Sequence, residues 1–302
     1  MAGRRRKKSG GRSYAWRYRG RIVACVFVEV IIICALVIMI GWNKGVKEWF
    51  EQFEQPVLKE VDISGINSPN AILMQARGGK ILGEINGEAQ IYPASMTKIM
   101  TVILGIENFD DLDEKITLTN EMFSGLYEQD ATQAGFQPGE EVRVIDLLYG
   151  AMLPSGAECC IALADTISGS EADFAELMNK KARKLGMENT HFCDSTGLHN
   201  PDHYSTVKDI AVLMKYCIKN DTFREIVETS RHSTGVTNIH PDGITYYSTM
   251  FKNLSDPTVT GGKILGGKTG YTSEAGHCLV SFAEIEGREY IFVSAGASGC
   301  LL

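Results

Sequence analysis

Strand-like patterning sits at the two ends of the main body of this chain, and helical patterning fills the space between. Residues 71–75 and 80–85 read as strands about the turn Arg77-Gly78-Gly79, and 263–270, 276–285 and 288–295 as three more, the last two joined at Glu286-Gly287. Between them, apolar residues recur at helical spacing from Ser95 onward, over 144–152, 158–167, 171–185, 206–219 and 222–229. The 171–185 helix carries its own punctuation, Ser170 as cap and Gly186 as stop. Residues 109–140 read as irregular and acidic. Strands at both ends with helices between predict an α+β fold, the first two strands joining the last three in one antiparallel sheet.

The 302 residues, 44% hydrophobic and 22% charged, suffice for one large domain or a core with a subdomain. The net charge of −7 hides an asymmetry: residues 1–21 hold nine Lys/Arg and no acid, whereas 42–302 hold 21 basic and 36 acidic residues, a charge of −15. Between them, 22–41 form a twenty-residue apolar run whose one charge is Glu29, long enough to cross a bilayer. The basic flank precedes it, so the positive-inside rule places 1–21 in the cytoplasm and the body outside. The run is too long for a signal-peptide core, and Gly41-Trp42-Asn43-Lys44 makes a poor cleavage site, so an uncleaved signal anchor is expected, with 42–60 as a stalk and 61–302 as the functional domain. A basic arm that abuts a membrane span is not read as a nucleic-acid-binding element.

The chemistry centres on Pro93-Ala94-Ser95-Met96-Thr97-Lys98. Ser95 and Lys98 fall one turn apart at a helix start, so the amine can take the serine proton if its pKa is lowered; a second cation nearby would do that. Ser205-Thr206-Val207-Lys208 has the same spacing and reads as a helix cap with a solvated lysine. Company separates the two. Downstream of Ser95 lie Ser155-Gly156-Ala157 and then Lys268-Thr269-Gly270-Tyr271-Thr272, and Lys-Thr-Gly occurs nowhere else.

That order, Ser-x-x-Lys, Ser-Gly-x, Lys-Thr-Gly, resembles the penicillin-binding protein and serine β-lactamase superfamily. Within it, Leu153-Pro154-Ser155-Gly156 and Asp194-Ser195-Thr196-Gly197-Leu198 are similar to the low-molecular-weight D-alanyl-D-alanine carboxypeptidases, over roughly residues 60 to 297. The resemblance implies a β-lactamase/transpeptidase-like fold: a five-stranded antiparallel sheet covered by helices, an all-helical subdomain, and the active site between them. It implies Ser95 as nucleophile, Lys98 as base and Ser155 as proton relay to the leaving amine. Lys268 and Thr269 would hold the substrate carboxylate, Gly270 would let the peptide lie along the strand, and the N–H groups of Ser95 and Tyr271 would face the oxyanion. The expected partners are a peptidoglycan stem peptide, β-lactams as covalent inhibitors, and the membrane; no cofactor is called for.

Two departures stand out. Position 157 is Ala where the family usually has Asn, and the chain stops soon after its last strand, where the family usually continues into a further helix. They keep rival readings open: a β-lactamase, for which no Glu-x-x-Asn base is seen in 186–205, a D,D-endopeptidase, or a non-catalytic penicillin- or peptidoglycan-binding sensor. His199-Asn200-Pro201-Asp202-His203 reads as a loop at the site's rim, not a metal site, because Pro201 argues against a helix. His277 reads as structural. The cysteines outside the span match no zinc or redox spacing and read as small buried residues, with one or two disulfides open to them in an oxidising setting.

Overall fold

The computed structural model describes residues 60–254 and 256–299. The expected basic tail, membrane span and nearly all of the stalk lie outside the described residues. Among the described residues no helix is long and apolar enough to cross a membrane.

One antiparallel sheet is built from both ends of this region. Its strands are β1 (Asn70–Gln75), β2 (Ile81–Ile85), β7 (Thr258–Val259), β8 (Gly262–Thr272), β9 (Gly276–Ile285) and β10 (Arg288–Ala297), in the spatial order β2-β1-β10-β9-β8-β7. The sheet thus has six strands where five were expected. The extra one is the two-residue edge strand β7, too short to carry an alternating pattern, folded back on β8 through Val259↔Gly262. The chain's first and last long strands are neighbours, with Asn70 opposite Ala295. The β9–β10 turn falls on Glu286-Gly287 as read, both with positive φ (51° and 71°), as a tight hairpin turn demands.

Among the described residues seven α-helices accompany the sheet: α1 (Lys98–Asn108), α2 (Val144–Met152), α3 (Ala157–Ser168), α4 (Glu171–Leu185), α5 (Val207–Cys217), α6 (Asp221–Glu228) and the short α7 (Thr249–Asn253). Every residue from Lys98 to Gly105 is buried, mostly apolar but including Lys98 and Thr101, so α1 sits inside, touching each of α2 to α6. α2 and α3 are buried almost as fully, whereas α4 buries one stripe (Phe174, Ala175, Met178, Asn179, Ala182), and α5 packs on β1, β9 and β10. The helical region is not all-helical: it carries two short ladders, β3 (Lys115–Thr117) with β4 (Glu141–Arg143), and β5 (Arg231–Ser233) with β6 (Thr245–Tyr247). Three-residue strands are below what a period-two pattern can signal.

Cys159, Cys160, Cys217 and Cys278 are buried free thiols and Cys193 is half-buried and free, as small core residues would be. Ser205 is wholly buried, its hydroxyl 2.8 Å from that of Thr190. The helix cap is its neighbour Thr206, which accepts from the Asp209 N–H at 3.0 Å, and Lys208 is paired with Glu88 rather than free in solvent.

Candidate active site

Ser95 does not begin the α-helix; it lies in a 3-10 turn (Ala94–Thr97) that leads into α1, so Lys98 is the first α-helical residue. The turn is strained at its start, with Ala94 at φ 47°. A residue held in the left-handed region costs about 1–3 kcal/mol, and such strain collects at functional sites. The turn leans on β8. A methyl group at Gly270 would lie 3.0 Å from the Ser95 nitrogen and 3.3 Å from the Pro93 oxygen, so a side chain here would have to push this strand away from the serine N–H by a few tenths of an ångström.

Lys98 is 4% exposed. Its Nζ donates to Ser95 Oγ at 3.1 Å and to the Thr196 carbonyl at 2.7 Å. Burial lowers the Lys98 pKa, against the upward pull of Cys160, Asp194 and Glu158. Lys268, on β8, is 1% exposed and its Nζ donates to the Thr269 carbonyl at 2.9 Å. Burial first, and then the charge of Lys98, bring Lys268 down to about 7. A second buried lysine is thus present, but burial, not the charge of Lys268 expected from the sequence, is what lowers Lys98, and the mutual repulsion appears on Lys268. The Thr269 hydroxyl is 2.7 Å from that of Thr249 on α7, a partner that nothing in the sequence signalled. Tyr271 is exposed, its ring 4.7 Å from that of His277.

Ser155 stands on the turn between α2 and α3 with φ 74°. Its hydroxyl is buried and has no hydrogen-bond partner, so the bond to Lys98 implied by the resemblance is not formed here. Ala157, two residues on, is buried and offers no side-chain amide. A buried orphan hydroxyl on a strained backbone costs stability twice over. Ser155→Gly should therefore raise stability by about 1 kcal/mol, since relief of the left-handed strain exceeds the extra chain entropy of glycine. It should also lower turnover. Thermal melting and peptidase assays read the two effects, and Ser155→Ala, which removes the orphan hydroxyl but keeps the strain, should lower turnover with a smaller gain.

The segment 194–204, which includes the 199–203 loop and as a whole reads from the sequence as a loop near the rim of the site, lies nearer the centre. Ser195, Thr196 and His203 are buried. Gly197 has φ +80°, and a methyl group there would lie 1.9 Å from the Ala94 oxygen. The turn is thus pressed against the Ser95 turn, and Thr196 supplies the second acceptor of Lys98. The Asp-x-Thr-Gly sequence is an Asx-turn pattern, but its docking on α1 could not be read without the fold.

With the geometry in hand, the likeness to known proteins is specific. The sequence profile of the family described as D-alanyl-D-alanine carboxypeptidase matches residues 57–299. The chain is 35% identical over 231 residues to the D-alanyl-D-alanine carboxypeptidase DacF of Bacillus subtilis, across 76% of this chain and 57% of that protein. It is 37% identical over 205 residues to the D-alanyl-D-alanine carboxypeptidase of a Streptomyces species (strain K15), across 65% of this chain and 69% of the relative. Among solved structures, the Streptomyces K15 DD-transpeptidase superposes with a TM-score of 0.70 at 29% identity, over 79% of this chain and 93% of that one. The chain therefore spans only part of the length of some curated relatives, 57% for DacF.

Proposed function

This chain belongs to the D-alanyl-D-alanine carboxypeptidase family, and from that premise we propose that it is a serine peptidase that removes the terminal D-Ala from peptidoglycan stem peptides through an acyl-enzyme on Ser95. The observation that carries the reading is the buried Lys98 amine 3.1 Å from the Ser95 hydroxyl, on the one Ser-x-x-Lys that faces a Lys-Thr-Gly strand. In its neutral form Lys98 takes the proton as Ser95 Oγ attacks the carbonyl carbon of the penultimate D-Ala. The oxyanion meets the N–H groups of Ser95 and Tyr271. The C–N bond breaks, and terminal D-Ala leaves as an amine, its proton relayed through Ser155. Water then adds to the ester, releasing the shortened peptide and restoring Ser95. Lys268 and Thr269 receive the substrate carboxylate, with Thr249 orienting the Thr269 hydroxyl from behind. β-Lactams, which resemble acyl-D-Ala-D-Ala, acylate the same serine.

Residues 22–41 are proposed as a single membrane anchor, with the peptidase outside the cell membrane. The likeness to the Streptomyces K15 DD-transpeptidase supports a second fate for the acyl-enzyme, attack by an amine in place of water. Purified full-length chain incubated with a diacylated Lys-D-Ala-D-Ala peptide should release D-alanine, and Ser95→Ala should not. Release that persists in the mutant would overturn the nucleophile. A folded protein that is labelled by penicillin yet releases nothing would point to an endopeptidase or a sensor, and an added amine that captures the acyl group would favour the transpeptidase.

A further inference from the structure

Lys98 is held by two acceptors, and one of them, the Thr196 carbonyl, belongs to a turn that is itself organised by a single carboxylate. Asp194 Oδ1 accepts from the Thr196 N–H at 2.7 Å, the Thr196 hydroxyl at 2.8 Å and the Gly197 N–H at 2.6 Å. Its other oxygen, Oδ2, lies 3.0 Å from His203 Nδ1. On the far side of the ring, His203 Nε2 lies 2.9 Å from the hydroxyl of Thr97, the residue immediately before Lys98. Both His203 and Thr97 are buried. Burial alone would raise the Asp194 pKa, but the hydrogen bond and charge of His203 and the bonds from Thr196 outweigh it and hold it at about 2. The carboxylate is therefore ionised at neutral pH, and Nδ1 carries the proton that faces it. In that state the longer 3.3 Å approach of the Cys193 N–H to Nδ1 is not a hydrogen bond.

We propose that Asp194 and His203 are a positioning pair for the general base. The carboxylate fixes the carbonyl that takes one hydrogen bond of Lys98, the imidazole fixes the hydroxyl one residue before it, and between them they hold Nζ on the Ser95 oxygen. The inference rests on the reading of Ser95 and Lys98 given above. Other contacts secure the neighbouring residue, not these two ends: Glu171 accepts from the Ser195 hydroxyl at 2.6 Å, and Thr101 donates to the Ser195 carbonyl at 2.6 Å. Neither Asp194 nor His203 needs to touch substrate. Reacting groups misplaced by about 1 Å commonly lose about 10²-fold in rate, which sets the size of the effect.

The measurement is the rate of acylation by benzylpenicillin as a function of pH, on the full-length chain, beside its melting temperature and the kcat and KM for a diacylated Lys-D-Ala-D-Ala peptide. The charged or titratable groups that face Lys98 are Lys268 from β8, Glu158, Cys159 and Cys160 from α3, and Asp194 from the turn. Of these only Asp194 is altered. Asp194→Asn should lower acylation about 10²-fold and move its rise with pH to lower pH, because a negative charge that favours protonated Lys98 is gone. His203→Ala should lower kcat with KM unchanged, since the carboxylate contacts at Lys268 and Thr269 are untouched. His203→Gln, whose amide can still reach Thr97, should recover much of the loss. Thr97→Val provides a variant that leaves the Asp194 turn intact, and it should lower kcat in the same way. Variants that melt lower but keep the wild-type rate and pH profile per folded molecule overturn the pair and leave the Ser95 reading standing. A wild-type chain that is not acylated at all overturns both.

Discussion

Lys98→Met should slow the acylation of Ser95 by penicillin about 10²–10⁴-fold, the usual worth of a positioned base, without unfolding the protein. The two parts of this expectation have separate causes. The Lys98 Nζ is the titratable group placed on the Ser95 oxygen, at 3.1 Å, so its removal leaves the hydroxyl with nowhere to send its proton. The methionine chain fills nearly the same volume in a buried site, and the ammonium it replaces was there at a desolvation cost. The wild-type rate should climb with pH as Lys98 deprotonates, over a range below that of an ordinary lysine because burial lowers its pKa, and the mutant should show no such climb. A mutant that keeps the wild-type rate would remove Lys98 from the mechanism.

Lys268→Met should give a more stable protein that no longer handles a peptide ending in a free carboxylate. Burial and the neighbouring Lys98 charge take Lys268 from 10.5 in the unfolded chain to about 7 in the fold. A folded pKa below the unfolded one means that the unfolded chain binds the extra proton between those values, so wild-type stability rises with pH from about 7 towards 10. Below 7 both states are protonated and the full penalty, roughly 3–5 kcal/mol, is present. The mutant should therefore exceed the wild type by most of that amount near pH 6, and the gap should shrink to about 1 kcal/mol by pH 9.5; denaturant unfolding at the two pH values measures it. A constant gap would mean that packing, not charge, sets the difference. The activity loss follows from the same charge. The two lysines titrate as a coupled pair, and a substrate carboxylate beside Lys268 keeps the proton there. Repulsion then favours a neutral Lys98, so the substrate helps to select the reactive state of the base. KM should rise steeply in Lys268→Met, with a smaller effect on substrates that lack the carboxylate.

What the sequence disclosed, and what it withheld, divides along the range of the interactions. The α4 boundaries at Ser170 and Gly186 were readable because a cap and a left-handed stop are local; Ser170 accepts from the Asp173 N–H and Gly186 has φ 78°. The strand pattern gave the sheet, except for β7, which is too short to show one. Ser95, Lys98, Ser155 and the Lys-Thr-Gly strand could be read as a set from their order, and the fold brings Ser95 against both Lys98 and β8. The 194–204 segment could not be placed, since its burial depends on Gly197 fitting against Ala94 and on His203 reaching Thr97, contacts between residues about a hundred positions apart. Thr249 was missed for the same reason: α7 is five residues long, and only β8 gives its hydroxyl a purpose. At Ser155 the local reading, a hydroxyl on a turn, was right, but its bond to Lys98 is not made in the free protein.

The pairing of β1 with β10 has a consequence in time. Asn70 faces Ala295, so the sheet cannot close until nearly the whole described chain has been made, and the ordering entropy of that long connection must be met before the contacts that reward it exist. The 3-10 turn bearing Ser95 rests on β8, and β8 reaches β1 only by way of β9 and β10. A nascent chain that has emerged only as far as α6 carries its serine and its lysine but has no wall to set them against. The Ser95 turn gains its wall only once β8, β9 and β10 have joined the strands laid down before it.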